Sequence, residues 1–107
     1  MTPSRREKIE TMLVEEPGDV FLRYSLALEL EKEQRHDESL RTLQALAEAT
    51  PPYVPAFFMA GQQLARLDRI SEARAVLRDG IDEARRQGDA HAAGEMSEFL
   101  AGLGSSG

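Results

Sequence analysis

Residues 57–80 have the sequence FFMAGQQLARLDRISEARAVLRDG, whose pattern is typical of a helical hairpin. Small and apolar residues recur three and four positions apart on both sides of the turn signal Leu67-Asp68-Arg69. These positions are Phe57, Ala60, Gly61 and Leu64 before the turn, and Ala73, Val76, Leu77 and Gly80 after it. Because this spacing places side chains on one face of a helix, the stretch predicts two antiparallel helices joined by a short turn.

The same pattern occurs earlier in the chain, at a shift of about 34 residues, which is the period of a helix-turn-helix repeat. The shift superposes Pro17 on Pro51, Val20 on Val54, Ala27 on Gly61, Leu30 on Leu64, Arg35 on Arg69, Glu38 on Glu72, Ser39 on Ala73, and Leu43 on Leu77. Small residues coincide where close-packed helices leave little room. The chain is therefore predicted to contain a helical hairpin twice.

Capping signals place helices on both sides of the two hairpins. Ser4 and Glu7 have the spacing of a capping box, and Asp19, Asp37 and Asp89 are predicted N-caps. Pro55 and Ser71 are expected near the starts of the fourth and fifth helices, and Gly88 fits the residue just beyond a helix end. The prediction is all-α, about six helices in one domain, 1–103, with no strands. It comprises a half-repeat helix at 4–16, hairpins at 19–51 and 53–87, a closing helix at 89–103, and a flexible tail at 104–107.

Composition and charge exclude several classes of protein. With 107 residues, 41% hydrophobic and 30% charged, the chain has the composition of one globular domain. A net charge of −6 argues against nucleic-acid binding, which usually rests on clustered Lys and Arg. The absence of Cys excludes disulfides and thiolate chemistry. The charged N-terminal segment and the lack of a membrane-length apolar run predict a cytoplasmic protein with no membrane contact.

At these residues the chain resembles the tetratricopeptide repeat (TPR) family over about residues 17–88. The second hairpin matches the family's motif at Phe57, Ala60, Gly61, Leu64, Ala73, Leu77 and Gly80, and the first at Leu26, Ala27, Leu30, Ser39, Leu43 and Pro51. It departs from the motif at Arg23, Gln34, Leu46, Asp68 and Arg85. Arg85 replaces the repeat-ending Pro, so the fifth helix should run on for an extra turn. The resemblance implies a right-handed stack of hairpins in a small, stand-alone protein of bacterial type.

The resemblance also implies a concave surface, lined by the first helix of each hairpin, that holds partner peptides or helices. Its predicted partner-binding residues are Phe21, Tyr24, Leu28, Glu31, Phe58, Met59, Gln62 and Arg66. One subset of the family grips a C-terminal carboxylate with Lys and Asn, but Tyr24, Leu28 and Met59 stand at those positions here. We therefore exclude that clamp and expect an amphipathic helix or an extended hydrophobic segment, with Tyr24 and Phe58 as anchors.

Other interpretations of this surface stay open. The apolar side chains could pack against the flanking helices, or they could form the contact of a homodimer. His36 and His91 are interpreted as surface or cap residues and not as metal ligands, and no cofactor is expected. Since no nucleophile and base can be paired, we predict a non-enzymatic protein-interaction module, an adaptor, scaffold or co-chaperone-like protein. A regulatory subunit of an enzyme is a weaker alternative.

Overall fold

The computed structural model describes residues 2–104, which form six α-helices and no strand. The helices are α1 (Arg5–Glu15), α2 (Val20–Lys32), α3 (His36–Ala47), α4 (Val54–Arg66), α5 (Ile70–Arg86) and α6 (Ala90–Gly102). Each packs mainly on its neighbours in sequence, giving an all-α stack of helical hairpins that measures 48 × 29 × 18 Å. The predicted fold class is confirmed. Residues 105–107 of the predicted tail lie outside the described range.

Three helix starts follow the predicted caps. Ser4 and Glu7 form the capping box: the Ser4 Oγ accepts the Glu7 N–H at 3.1 Å, and the Ser4 N–H donates to the Glu7 carboxylate at 2.8 Å. This backbone hydrogen bond is the main reason why the pKa of Glu7 lies below its usual value. The carboxylates of Asp19 and Asp89 each accept the N–H three residues on, at 2.9 and 3.0 Å.

The start of α3 differs from the prediction. The helix begins at His36, its N-cap is Arg35, and Asp37 lies in the first turn without capping it. The Arg35 side chain instead binds Glu38, with Nε to Oε1 at 2.7 Å and Nη2 to Oε2 at 2.8 Å. These hydrogen bonds hold the pKa of Glu38 below its usual value. Asp37 still places a negative charge near the helix N-terminus, where it is favourable.

The start of α5 repeats this arrangement. The helix begins at Ile70, one residue before the predicted Ser71, and its N-cap Arg69 binds the Glu72 carboxylate. The hydrogen bond from Arg69 lowers the pKa of Glu72. The Arg–Glu pairs that the sequence superposes are therefore the same ion pair in both hairpins. The α5 helix has 17 residues and runs to Arg86, which confirms its extra turn.

Left-handed residues end α2, α4 and α5. Gln34 and Asp68 have φ of 62° and 61°, and Gly88 has φ of 75°. In each turn the following residue donates its N–H to a carbonyl in the last turn of the helix, as Arg35 does to Leu30 at 2.9 Å. This is the Schellman arrangement, which satisfies carbonyls that the helix leaves free and reverses the chain direction.

Replacing Gln34 by glycine should raise the free energy of unfolding by about 1 kcal/mol, because a side chain disfavours the left-handed conformation. Asp68→Gly should raise the free energy of unfolding by less, since Asp tolerates the left-handed conformation better than Gln does. Urea unfolding followed by circular dichroism measures both. Gln34→Ala is the matched control, because alanine keeps the Cβ that causes the penalty. A gain from alanine equal to that from glycine would refute this explanation.

The core consists of two apolar clusters that meet at Val76. The C-terminal cluster contains Val54, Phe57, Leu77, Ile81, Ala84, Ala93 and Met96. The N-terminal cluster contains Ala27, Leu43, Leu46, Ala56 and Ala60. By contrast α1 buries one residue, Ile9, and forms the ion pairs Arg5–Glu29, with α2, and Arg6–Glu33, with the C-cap of α2, at 3.3 and 2.8 Å. Burial is thus concentrated in the two hairpins and α6.

A buried polar contact joins α2, α3 and α4. The Ser39 hydroxyl donates to the Ala27 carbonyl at 2.7 Å and accepts from the Gln63 Nε2 at 3.0 Å. Both Ser39 and Gln63 are completely buried. The sequence indicated a small residue at position 39 but gave no role to Gln63. Because buried polar groups need partners, this contact fixes how the second hairpin sits on the first.

Candidate functional site

The first helices of successive hairpins, α2 and α4, share the N-terminal core cluster and the Glu31–Arg66 ion pair, and α6 contacts α4. We call the surface that these three helices share the inner face. Helical periodicity assigns to this face the eight residues predicted to bind a partner, namely Phe21, Tyr24, Leu28, Glu31, Phe58, Met59, Gln62 and Arg66. The structure gives these side chains different surroundings, which divide the inner face into three parts.

The α2 part is aromatic and open at its N-terminal end. Phe21 is 69% exposed, although it is one of the largest apolar side chains in the protein. Tyr24 is half-buried, and its ring meets that of Tyr53 edge to face, with centroids 5.5 Å apart. Burial raises the pKa of the Tyr24 hydroxyl. Leu28 is also half-buried. Of the predicted residues, Phe21 is therefore the apolar one most available to a partner.

The far ends of α2 and α4 are polar. An Arg66 guanidinium nitrogen donates to the Glu31 carboxylate, so these two predicted contact residues bind each other. A shallow pocket beside them is lined by Gln34, His36 and Gln63, among others. Because the ion pair connects α2 to α4 at the surface, it contributes little stability, but it sets the position of both charges.

The α4 part is partly covered by α6. The Phe58 ring packs edge to face on Phe99, with centroids 5.8 Å apart and an interplanar angle of 68°. Met59 packs instead against the N-terminal core cluster. Gln62 is half-buried. Part of the surface of Phe58, which was predicted to anchor a partner, is therefore buried in a contact within the protein.

The α6 helix adds residues that the sequence analysis left out of the site. An open slot of about 450 Å³ lies between α4 and α6, lined by Phe58, Glu95, Glu98, Phe99, Gly102 and Leu103. Glu95 faces the His91 imidazole at 3.5 Å, and Glu98 forms no salt bridge with any residue in 2–104. The i, i+3 spacing of Glu95 and Glu98 indicates from sequence alone that both carboxylates lie on one face of α6. It was missed because α6 was interpreted only as a closing helix.

The histidines do not come together. His36 begins α3, and its Nδ1 is buried without a hydrogen-bond partner. His91 is exposed on α6 beside Glu95. Across residues 2–104, no three His, Asp or Glu side chains are grouped in a way that could hold a metal ion. No helix in that range has the length and apolar character needed to cross a membrane.

Comparison with solved structures places this arrangement among known proteins. A solution structure of a tetratricopeptide repeat domain protein from Salinibacter ruber is 31% identical, over 81% of this chain and 88% of that one, with a TM-score of 0.76. A crystal structure of a tetratricopeptide repeat domain protein from Salinibacter ruber is 30% identical, over 79% and 94%, with a TM-score of 0.70. A solution structure of a protein from Bordetella parapertussis is 25% identical, over 95% and 89%, with a TM-score of 0.80. No protein-family model and no curated protein matches the chain.

The motif positions agree with this similarity. The small residues Gly61 and Gly80 lie against Leu77 and Phe57, where a larger side chain would collide. The left-handed turns at Gln34 and Asp68 end the first helix of each hairpin. From the identity, the coverage of both chains and these repeated features, the chain belongs to the tetratricopeptide repeat family.

Proposed function

We propose that this protein holds a peptide or helix of another protein on the inner face and acts as an adaptor or scaffold. The TPR fold is generally a protein-interaction module. A co-chaperone-like role and a cytoplasmic location stay predictions.

The observation that carries the proposal is the exposure of Phe21 at the open end of an aromatic surface. A phenylalanine that is 69% exposed gains little from the core, yet it would bury a large apolar area against a partner. Tyr24 and Leu28 continue the apolar surface along α2 and are only half-buried. Aromatic side chains in such positions often dominate the binding energy of an interface.

Phe21→Glu tests the site with little expected cost to folding, because the side chain is exposed. The protein should be immobilised in its native form and used to isolate a partner from a bacterial lysate, and the affinity then measured by calorimetry. We expect Phe21→Glu to weaken binding at least tenfold, which is about 1.4 kcal/mol. Circular dichroism should show unchanged helix content.

Val14→Glu is the matched control, because Val14 is an exposed apolar residue on α1, which is not part of the inner face. It is 80% exposed, and the substitution makes the same change in charge. We expect this variant to bind as the wild type does. If both variants bind equally well, the inner face at Phe21 is not the site.

Self-association through the same face is the second candidate function. The exposed Phe21 on that face favours it, because isolated apolar surface promotes contact between copies. Light scattering behind size exclusion, at high micromolar concentration, distinguishes the two functions. A dimer that dissociates in Phe21→Glu supports self-association, and a strict monomer removes it.

A further inference from the structure

We infer that the slot between α4 and α6 selects a basic amphipathic segment of the partner, in which an apolar side chain is flanked by Lys or Arg. This inference rests on the proposed function and specifies the partner's chemistry. It concerns two aromatic residues that line the slot, Phe58 and Phe99, and two acidic ones, Glu95 and Glu98.

The aromatic part of the slot lining is suited to an apolar side chain. Phe58 and Phe99 meet edge to face, and both rings are half-buried, so part of each remains accessible. Leu103 extends the apolar lining, and Gly102 leaves its end open, since nothing lies within 4 Å of where a Cβ would be. An aliphatic or aromatic side chain placed there would remove both rings from water.

The acidic part of the slot lining is suited to positive charge. Glu95 and Glu98 are three residues apart on α6, so their side chains share one face of the helix. His91 is the only ion-pair partner of Glu95 within residues 2–104, and it is charged only when protonated. Glu98 has no such partner in that range. Two carboxylates beside an apolar slot would attract Lys or Arg and repel an acidic segment.

The charge on the rest of the inner face strengthens this preference. The cation of Arg66 is neutralised by Glu31, and Lys32 is paired with Glu29 at 3.1 Å. The chain as a whole carries −6. A basic segment would therefore be favoured during approach as well as in the bound state, whereas a second copy of this acidic chain would be disfavoured.

Selection from a random peptide library tests the inference, because the library offers acidic, uncharged and basic peptides to the slot in equal measure. Peptides of about 15 residues, long enough to form a helix of several turns, should be displayed and selected on the wild-type protein at low ionic strength. We expect the selected peptides to share an apolar residue with Lys or Arg three or four positions away. Selection of acidic or uncharged peptides would overturn the inference, as would selection of none.

The double variant Glu95→Gln, Glu98→Gln identifies the slot as the source of the preference. We expect a selected peptide to bind it about tenfold more weakly, and to lose affinity less steeply as salt is raised. The control is Glu15→Gln, Glu16→Gln, which makes the same change in charge at the end of α1 and should bind as the wild type does. Equal losses in both double variants would assign the effect to net charge and overturn the inference.

The variants also separate this inference from the proposed function. If Phe21→Glu weakens binding while neutralising Glu95 and Glu98 has no effect, the inner face binds a partner but the slot does not choose its charge. That result overturns the inference alone. If neutralising the two carboxylates weakens binding of the selected peptide and Phe21→Glu does not, the slot is supported and the α2 part of the site is rejected.

Discussion

Leu77→Ala is expected to lower the free energy of unfolding by about 3 kcal/mol, because it would leave a cavity where α4, α5 and α6 meet. Leu77 is completely buried in the C-terminal cluster. Its side chain fills the space above Gly61, whose missing Cβ would lie 2.6 Å from the Leu77 Cδ2. Since small domains are stable by only about 5–15 kcal/mol, this is a large fraction of the total.

Urea unfolding monitored at the helical circular dichroism signal measures this loss. Leu28→Ala removes the same atoms from a half-buried position on the inner face, and there we expect a loss of about 1 kcal/mol or less. The difference between the two variants isolates the contribution of burial. Equal losses would mean that Leu77 is not packed as tightly as its surroundings indicate.

Gly80→Ala is expected to destabilise the protein by about 2 kcal/mol, although alanine is normally the better helix former. An added Cβ would lie 2.5 Å from the Phe57 Cβ and 2.7 Å from the Met96 Sδ. The Met96 side chain can rotate away. The Phe57 Cβ cannot, because it is bonded directly to the backbone of α4, so α4 and α5 would have to separate.

Gly94→Ala is the control, because it is expected to stabilise the protein whereas Gly80→Ala is expected to destabilise it. Gly94 lies within α6, and nothing is within 4 Å of its missing Cβ. Alanine there should raise the free energy of unfolding by about 0.5–1 kcal/mol through helix propensity alone. Thermal unfolding of both variants gives the comparison. If Gly80→Ala is as stabilising as Gly94→Ala, then α4 and α5 do not approach as closely as described.

The repeat made most of the fold predictable from sequence. The two hairpins, the extra turn of α5 and the caps at Ser4, Asp19 and Asp89 follow from spacing and local chemistry, and the structure has them all. Asp37 was misassigned because an acidic residue is favourable at the N-cap and in the first turn alike. Only the backbone geometry of the preceding turn decides between these positions.

The sequence did not predict where the first hairpin places its large buried apolar side chain. The motif position filled by Phe57 in the second hairpin holds Arg23 in the first, and the position of Gly80 holds Leu46. Arg23 is half-buried beside an open groove, while Leu46 is completely buried in the N-terminal cluster. The large buried apolar side chain is thus on the first helix of the second hairpin, at Phe57, and on the second helix of the first hairpin, at Leu46. Such an exchange depends on packing between helices, which the sequence of one copy does not reveal.

The candidate site was predictable in part. Periodicity on α2 and α4 identified the predicted residues, but the partners of their side chains depend on α6 and on the loop that carries Tyr53. The pairs Tyr24–Tyr53, Phe58–Phe99 and Glu31–Arg66 are each long-range in sequence. For this reason the sequence of α6 alone does not predict that Glu95 and Glu98 line a slot together with Phe58.

The packing of each helix mainly on its sequence neighbours has a consequence for how the chain reaches its structure. Few distant segments must meet before stabilising contacts form, so the entropy lost in closing loops is small at every step. Chains with such low contact order fold in roughly microseconds to milliseconds. Either hairpin can nucleate the process, with the other added by growth along the stack, as in longer repeat arrays.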